Sequence, residues 1–151
     1  PATVAGLAKT ENIAAIKEEA GINPTQTSDF VLQTPDDFDV YCGDDTMVLA
    51  TLVQGAVGVV SGGSHIIGDV MKQMIAAYFE GQVRIAKELH LRLFGFFKAL
   101  AGKGRINPIP LLRAAIGMAW QEVGPPRAPQ LPADEDERRA LREVLRGLGK
   151  L

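Results

Sequence analysis

The chain has 151 residues, of which 46% are hydrophobic and 23% are charged, and this composition is ordinary for a globular domain with its own core. Its formal net charge of -2 argues against a nucleic-acid surface, because phosphate binding depends on clustered lysine and arginine side chains. A single cysteine, Cys42, excludes an internal disulfide, and no Cys/His cluster predicts a metal site. With no signal peptide and no apolar run of about 18 residues, we expect a cytoplasmic protein with no membrane partner.

The first part of the chain alternates between predicted helices and strands. An opening helix is expected over Pro1–Lys9, and further helical patterns cover Thr25–Leu32 and Asp45–Val53, the last with a stop at Gly55. Each predicted strand is a short apolar run bounded by Gly, Asp or Ser. The runs begin at Asn12, Phe38 and Ala56, and they end at Lys17, Gly43 and Ser61. This alternation predicts parallel pairing of the strands.

After Ser61 the pattern is helical, with an apolar stripe at three- and four-residue steps in the second helix. The predicted helices are Gly68–Glu80, Val83–Ala101, Pro108–Val123 and Asp134–Leu148. Prolines at 125, 126, 129 and 132 predict an extended link before the last helix. A sheet of three strands would have uncovered edges, so we expect this chain to be part of a longer protein whose preceding strands complete the sheet.

Lys17 ends the first predicted strand. Because side chains alternate across a strand, Lys17 shares a face with Ile13 and Ala15. In a parallel barrel this places its amine on the interior side at the carboxyl end of a strand, where barrel enzymes hold their active sites. A partly desolvated, neutral amine could attack a ketone. The alternative is a structural lysine that extends to solvent or pairs with Glu18 or Glu19.

The ends of the other two strands carry further candidates. Gly43 would let a ligand approach the main chain closely, whereas Asp44 and Asp45 are better explained as helix N-caps than as an acid and base pair. Cys42 faces opposite Gly43 and is expected to be a small core residue. In the third stretch, His65 is interpreted as a packed or capping side chain rather than a general base.

Four motifs follow one another along the chain. They are Ile16-Lys17-Glu18 with Gly21 nearby, Cys42-Gly43-Asp44-Asp45, Gly58-Val-Val-Ser61 with Ser64-His65, and Asn107-Pro-Ile-Pro110. No single motif is strong, but in this order and spacing they resemble the dihydrodipicolinate synthase and N-acetylneuraminate lyase family, and the resemblance covers essentially the whole chain.

The resemblance implies an α/β fold, namely the C-terminal portion of a TIM (β/α)8 barrel followed by a C-terminal helical extension. Residues 1–80 would supply strands six to eight with their helices, and residues 81–151 would form the helical region. A barrel of this kind needs about 250 residues. The chain would therefore need the N-terminal half of the barrel, and the family further implies a homotetramer.

The resemblance also implies a reaction and its site. Lys17 would form a Schiff base with pyruvate, and the Gly43 backbone and the Val60 side chain would line the pyruvate pocket, with neither a metal nor a separate cofactor. The implied activity is a class I lyase that condenses pyruvate with L-aspartate 4-semialdehyde to 4-hydroxy-tetrahydrodipicolinate, in lysine and diaminopimelate biosynthesis.

Departures from the family leave alternatives open. Glu19-Ala20 replaces the small residues usual after the lysine motif, and Gly62-Gly63 replaces a Val-Ala-like pair. Neither Tyr41 nor Tyr78 stands where the family's proton-relaying tyrosine should be. The alternatives are another pyruvate-dependent aldolase of the same family, acting on a sugar acid or hydroxy-keto acid, and a non-catalytic half-barrel that retains Lys17 as a relic.

Overall fold

The computed structural model describes residues 1–19, 23–105 and 107–151, and the chain divides into two compact units. The first unit is Pro1–Ser61 and the second is Gly62–Leu151. The predicted boundary lies later, between residues 80 and 81, because the prediction counts the helix after the last strand as part of the barrel. The division into residues 1–80 and 81–151 stays a prediction.

The described part of the first unit is an α/β arrangement around a three-stranded parallel sheet with strand order β1-β2-β3. All three predicted strands and their parallel pairing are confirmed. The elements are α1 (Ala2–Leu7), β1 (Ala15–Glu18), α2 (Thr25–Gln33), β2 (Asp39–Cys42), a 3-10 turn (Asp45–Met47), α3 (Val48–Val53) and β3 (Gly58–Val59).

The register of the sheet determines which side chains share a face. Lys17 pairs with Tyr41, and Tyr41 pairs in turn with Gly58, so these positions form one row across the strands. The two neighbouring rows, which start at Ile16 and Glu18, point to the opposite face because side chains alternate along a strand. There Val40 and Cys42 are buried at 1% and 2% exposure. One face of the sheet is therefore the core of the unit, and Lys17 lies on the other.

The segment after β2 differs in detail from its prediction. Instead of one helix over Asp45–Val53, a 3-10 turn precedes α3. The Asp44 carboxylate accepts from the Thr46 N–H and from its hydroxyl, both at 2.7 Å, and this cap holds the tighter first turn. The predicted stop at Gly55 is confirmed, since this residue adopts a φ of 105°, which glycine accommodates without strain.

The second unit is helical over its described residues, as predicted. Its helices are α4 (Ser64–Phe79), α5 (Val83–Ala101), α6 (Ile109–Ala119) and α7 (Glu135–Gly147). The core is formed by apolar faces of all four helices and includes Met74, Leu93, Leu111 and Leu141, each fully buried. None of the described helices is long and apolar enough to cross a membrane.

Two predicted helix boundaries of the second unit were wrong by four residues each. α4 begins at Ser64 rather than at Gly68, because Ile67 is already buried as part of its apolar face. α6 ends at Ala119 rather than at Val123. There the Arg113 side chain donates to the Gly124 carbonyl at 3.0 Å and to the Val123 carbonyl, which holds the chain in a non-helical path.

A buried ion pair fastens the start of α7 to the segment before α6. The Arg105 guanidinium binds both carboxylate oxygens of Glu137, at 2.8 and 2.6 Å, and the Glu137 side chain is only 4% exposed. Glu137 also completes a capping box, in which its carboxylate accepts from the Asp134 N–H and the Asp134 carboxylate accepts from the Glu137 N–H. Hydrogen bonds from Arg105 hold the pKa of Glu137 below its ordinary value.

We expect Glu137→Gln to lower the free energy of unfolding by about 1.5–3 kcal/mol, because it weakens hydrogen bonds to a charged, buried partner. Chemical denaturation at neutral pH measures this loss. Glu143→Gln is the matched control, since Glu143 is exposed on the same helix. Equal stability of the two variants would contradict the importance of the ion pair.

The same pair predicts a pH dependence. A carboxyl group whose folded-state pKa is lowered contributes stability above its unfolded pKa, and this contribution is lost as the pH falls through the folded pKa. Acidification should therefore destabilise the wild type more than Glu137→Gln. Denaturation curves recorded from neutral pH down into the acid range should converge for the two proteins, and a constant difference would contradict the prediction.

Candidate functional site

Lys17 is the third residue of β1, near its carboxyl end. Its ammonium lies 2.7 Å from the Glu19 carboxylate, and the Lys17 side chain is 43% exposed. This ion pair is the contact expected if Lys17 is a structural lysine that pairs with Glu18 or Glu19. The placement on the open face at the carboxyl end of a parallel strand is the one that the functional interpretation requires.

Gly43 lies directly beside the lysine. Its N–H donates to the Glu18 carbonyl at 2.7 Å, which continues the β1 and β2 pairing past the last strand residue. A Cβ atom placed on Gly43 would be 2.7 Å from the Lys17 Cε and 2.5 Å from the Glu19 Cβ. These distances are shorter than real Cβ contacts. The Lys17 and Glu19 side chains therefore occupy the space in which a side chain at position 43 would lie.

Val60 follows the last residue of β3, and its N–H donates to the Cys42 carbonyl at 2.8 Å. The side chain is half-exposed. Since parallel strands run in one direction, Lys17, Gly43 and Val60 all lie at the carboxyl edge of the sheet. The structure therefore brings the three candidate residues to one edge, and their roles toward a substrate stay predictions.

Cys42 is a buried core residue, as expected from the sequence. It lies on the face opposite Lys17, and its thiol donates to the Asp44 carbonyl at 3.1 Å. Burial raises the pKa of this thiol. The thiol is therefore held in its protonated form and away from the open face, which makes Cys42 unsuitable as a nucleophile.

The remaining polar candidates have structural positions. The Asp44 carboxylate caps the 3-10 turn, which confirms the capping interpretation for this residue. His65 is exposed at the second position of α4, whose N-cap is Gly63, so it is neither buried nor the cap. At the start of α6, the Asn107 side chain accepts from the Ile109 N–H at 2.8 Å, and Pro108 is the N-cap. Gly21, quoted with the lysine motif, lies outside the described residues.

Two residues beside the lysine were not assigned roles from the sequence. Tyr41 is the cross-strand neighbour of Lys17, and its ring lies over Gly58, 3.2 Å from where a Cβ would be. From the sequence, Glu19 is expected only as an ion-pair partner and as a departure from the family. The strand period of two was the available signal for Glu19, because it puts residues 17 and 19 on one face. No comparable signal existed for Tyr41, which depends on the register between strands.

The described residues offer no metal site. Within residues 1–19, 23–105 and 107–151, no group of three or more His, Cys, Asp or Glu side chains could hold a metal ion. On the open face at the carboxyl edge of the sheet, the Lys17 amine and the Glu19 carboxylate lie together beside the backbone at Gly43. This set can form a covalent bond to a carbonyl carbon and move protons beside it.

Comparison with known proteins identifies the family to which the chain belongs. The profile of the dihydrodipicolinate synthetase family matches residues 1–148. The chain therefore belongs to the dihydrodipicolinate synthetase family.

Individual relatives agree with this assignment. The 4-hydroxy-tetrahydrodipicolinate synthase of Nostoc punctiforme is 43% identical over 148 residues, which is 98% of this chain and 49% of the relative. Among solved structures, dihydrodipicolinate synthase DapA-2 of Bacillus anthracis matches 96% of this chain and 48% of its own, with 39% identity and a TM-score of 0.86. The dihydrodipicolinate synthase of Thermotoga maritima matches all of this chain and 51% of its own, with 33% identity and a TM-score of 0.89. The chain thus spans about half the length of the relatives it matches.

Gly43→Ala tests the close approach at the site. We expect a loss of about 1–3 kcal/mol in the free energy of unfolding, because the new methyl group forces the ends of β1 and β2 apart. Chemical denaturation measures the loss. Gly6→Ala is the control, since open space surrounds Gly6 in α1 and alanine favours a helix. A Gly43→Ala protein as stable as the wild type would contradict the crowding.

Proposed function

We propose that this chain is the C-terminal part of a class I lyase, and that it supplies strands six to eight of a (β/α)8 barrel together with the helical region that follows. The reaction is the condensation of pyruvate with L-aspartate 4-semialdehyde to 4-hydroxy-tetrahydrodipicolinate, in lysine and diaminopimelate biosynthesis. The names of the curated relatives support this reaction, and the preceding half of the barrel completes the site.

One observation carries the proposal. Lys17 projects from the carboxyl end of β1 on the open face of the sheet, with the Gly43 backbone beside its Cε atom. In barrel enzymes this edge is where the catalytic residues lie. Because Gly43 has no side chain, the lysine can lie across the end of β2.

The chemistry follows from the amine. After losing a proton, Lys17 Nζ attacks the keto carbon of pyruvate, and loss of water leaves a protonated imine. The positive nitrogen then draws electron density from the methyl carbon, so a methyl proton is removed and an enamine forms. The enamine carbon bonds to the aldehyde carbon of the second substrate, whose oxygen takes up a proton. The amino group of that substrate then displaces Lys17 from the imine carbon, which closes the ring and releases the product. Val60, half-exposed at the same edge, offers an apolar surface to the pyruvate methyl group.

The assembly is a further part of the proposal. Ala15 and Lys17 are exposed on the open face of β1, and the second edge of β1 has no neighbouring strand within the described residues. Strands from the N-terminal half of the barrel would cover both. The whole enzyme is expected to be a homotetramer.

Trapping with borohydride tests the covalent step on the complete protein. Incubation with pyruvate followed by reduction should leave an adduct that peptide mass spectrometry assigns to Lys17. Lys17→Ala should abolish the adduct, whereas Lys9→Ala should not, because Lys9 is an exposed lysine just after α1. An unmodified Lys17 in the complete wild-type protein would overturn the Schiff-base proposal.

Acceptor choice tests the second substrate. Aspartate semialdehyde should raise pyruvate consumption by the complete protein, and a keto sugar acid or a hydroxy-keto acid should not be cleaved to release pyruvate. The measurements are pyruvate loss with aspartate semialdehyde and pyruvate release from each of the other compounds supplied alone. Pyruvate release from a sugar acid would place the chain with a different aldolase of the family while leaving the Lys17 imine intact.

A further inference from the structure

We infer that Glu19 is a catalytic residue of this site, the group that accepts the Lys17 proton and returns it to the leaving water during imine formation. The inference rests on the proposed function, because it concerns the same lysine. Its basis is the 2.7 Å contact between the Lys17 ammonium and the Glu19 carboxylate. That distance is within the range over which a side chain can transfer a proton directly.

The location of Glu19 favours this role over a solvated surface charge. Residues 17 and 19 are two apart, so Glu19 extends from the end of β1 on the same side as the lysine. Its Cβ occupies the space above Gly43, 2.5 Å from where a Cβ on that glycine would be. Gly43 therefore makes room for both partners of the ion pair, and any larger residue there would displace the carboxylate together with the amine.

The step balances in atoms and charge. The Lys17 ammonium gives one proton to the Glu19 carboxylate, and the neutral amine forms a C–N bond to the keto carbon while the carbonyl electron pair moves to oxygen. The Glu19 carboxyl group protonates that oxygen and takes the second proton from nitrogen, which gives a neutral carbinolamine. It then protonates the hydroxyl group, and the C–O bond breaks as the nitrogen lone pair forms the C=N bond.

At the end of this sequence one water has left and Glu19 is again a carboxylate. It faces a positively charged iminium nitrogen in place of the ammonium, so the ion pair is restored. Like charges repel, and the pyruvate carboxylate would accordingly lie on the side of the amine away from Glu19. The carboxylate of Glu19 thus favours one orientation of the bound keto acid.

The test is the rate at which the complete protein forms the Lys17 imine, followed by quenching with borohydride at successive times after addition of pyruvate. Glu19→Gln keeps the shape of the side chain and loses the proton acceptor. We expect about 100-fold slower imine formation with the same final yield, as for loss of a general acid and base. Glu11→Gln is the control, because Glu11 is exposed before β1, at the opposite end of the strand from Lys17.

Two further variants separate proton transfer from positioning. Glu19→Asp should recover part of the rate, and Glu19→Ala should be accelerated by added acetate, which supplies a free carboxylate. A wild-type imine rate in Glu19→Gln would overturn the inference. Slow rates in all three variants with no effect of acetate would overturn it too, since they would make Glu19 a positioning residue. Absence of the imine in the wild type would instead refute the proposed function.

Discussion

The hydrogen bond from the Gly43 N–H to the Glu18 carbonyl is the contact on which the candidate site depends. It extends the parallel pairing of β1 and β2 by one residue beyond the strands, and so it fixes the position of Gly43 beside Lys17 in the register. At that position the Lys17 side chain can cross the end of β2 only if residue 43 has no side chain. One backbone contact and one missing Cβ therefore determine where the amine lies.

The two faces of the sheet differ in what they carry: one forms the core of the unit, and the other carries the candidate functional side chains. Val40, Cys42 and the helices α2 and α3 form the buried side, where apolar contacts stabilise the unit. Lys17 and Tyr41 lie on the other side, where the Lys17 side chain is 43% exposed within this chain. Because the strand period is two, moving the register by one residue would bury the amine and expose the core. The hydrophobic face consequently determines the side on which Lys17 lies without touching it.

Much of the fold could be predicted from local patterns. The three strands, their parallel order and the exact extent of α5 follow from apolar periodicity and from the Gly, Asp and Pro residues that bound the segments. The errors lie where a tertiary contact overrides a local signal. Arg113 ends α6 by binding carbonyls of residues that follow it, and no pattern within the helix contains that information. Similarly, the Arg105 and Glu137 pair joins residues far apart in sequence.

The candidate site was predictable to a different degree. Alternation placed Lys17 on the correct face, and the family motifs singled out Gly43 and Val60, but the contacts among them required the register. Glu19 shows the difference most clearly. In the sequence, Glu19 is only a departure from the small residues that the family resemblance leads us to expect there. Such a departure does not by itself indicate a chemical role. In the structure the Glu19 carboxylate lies 2.7 Å from the Lys17 amine, a distance at which it can accept a proton from that amine, as the proposed mechanism requires. Under the proposed mechanism, a chain with a small side chain at this position would need another group to carry that proton, so a single substitution next to the lysine would redistribute proton transfer within an otherwise similar site.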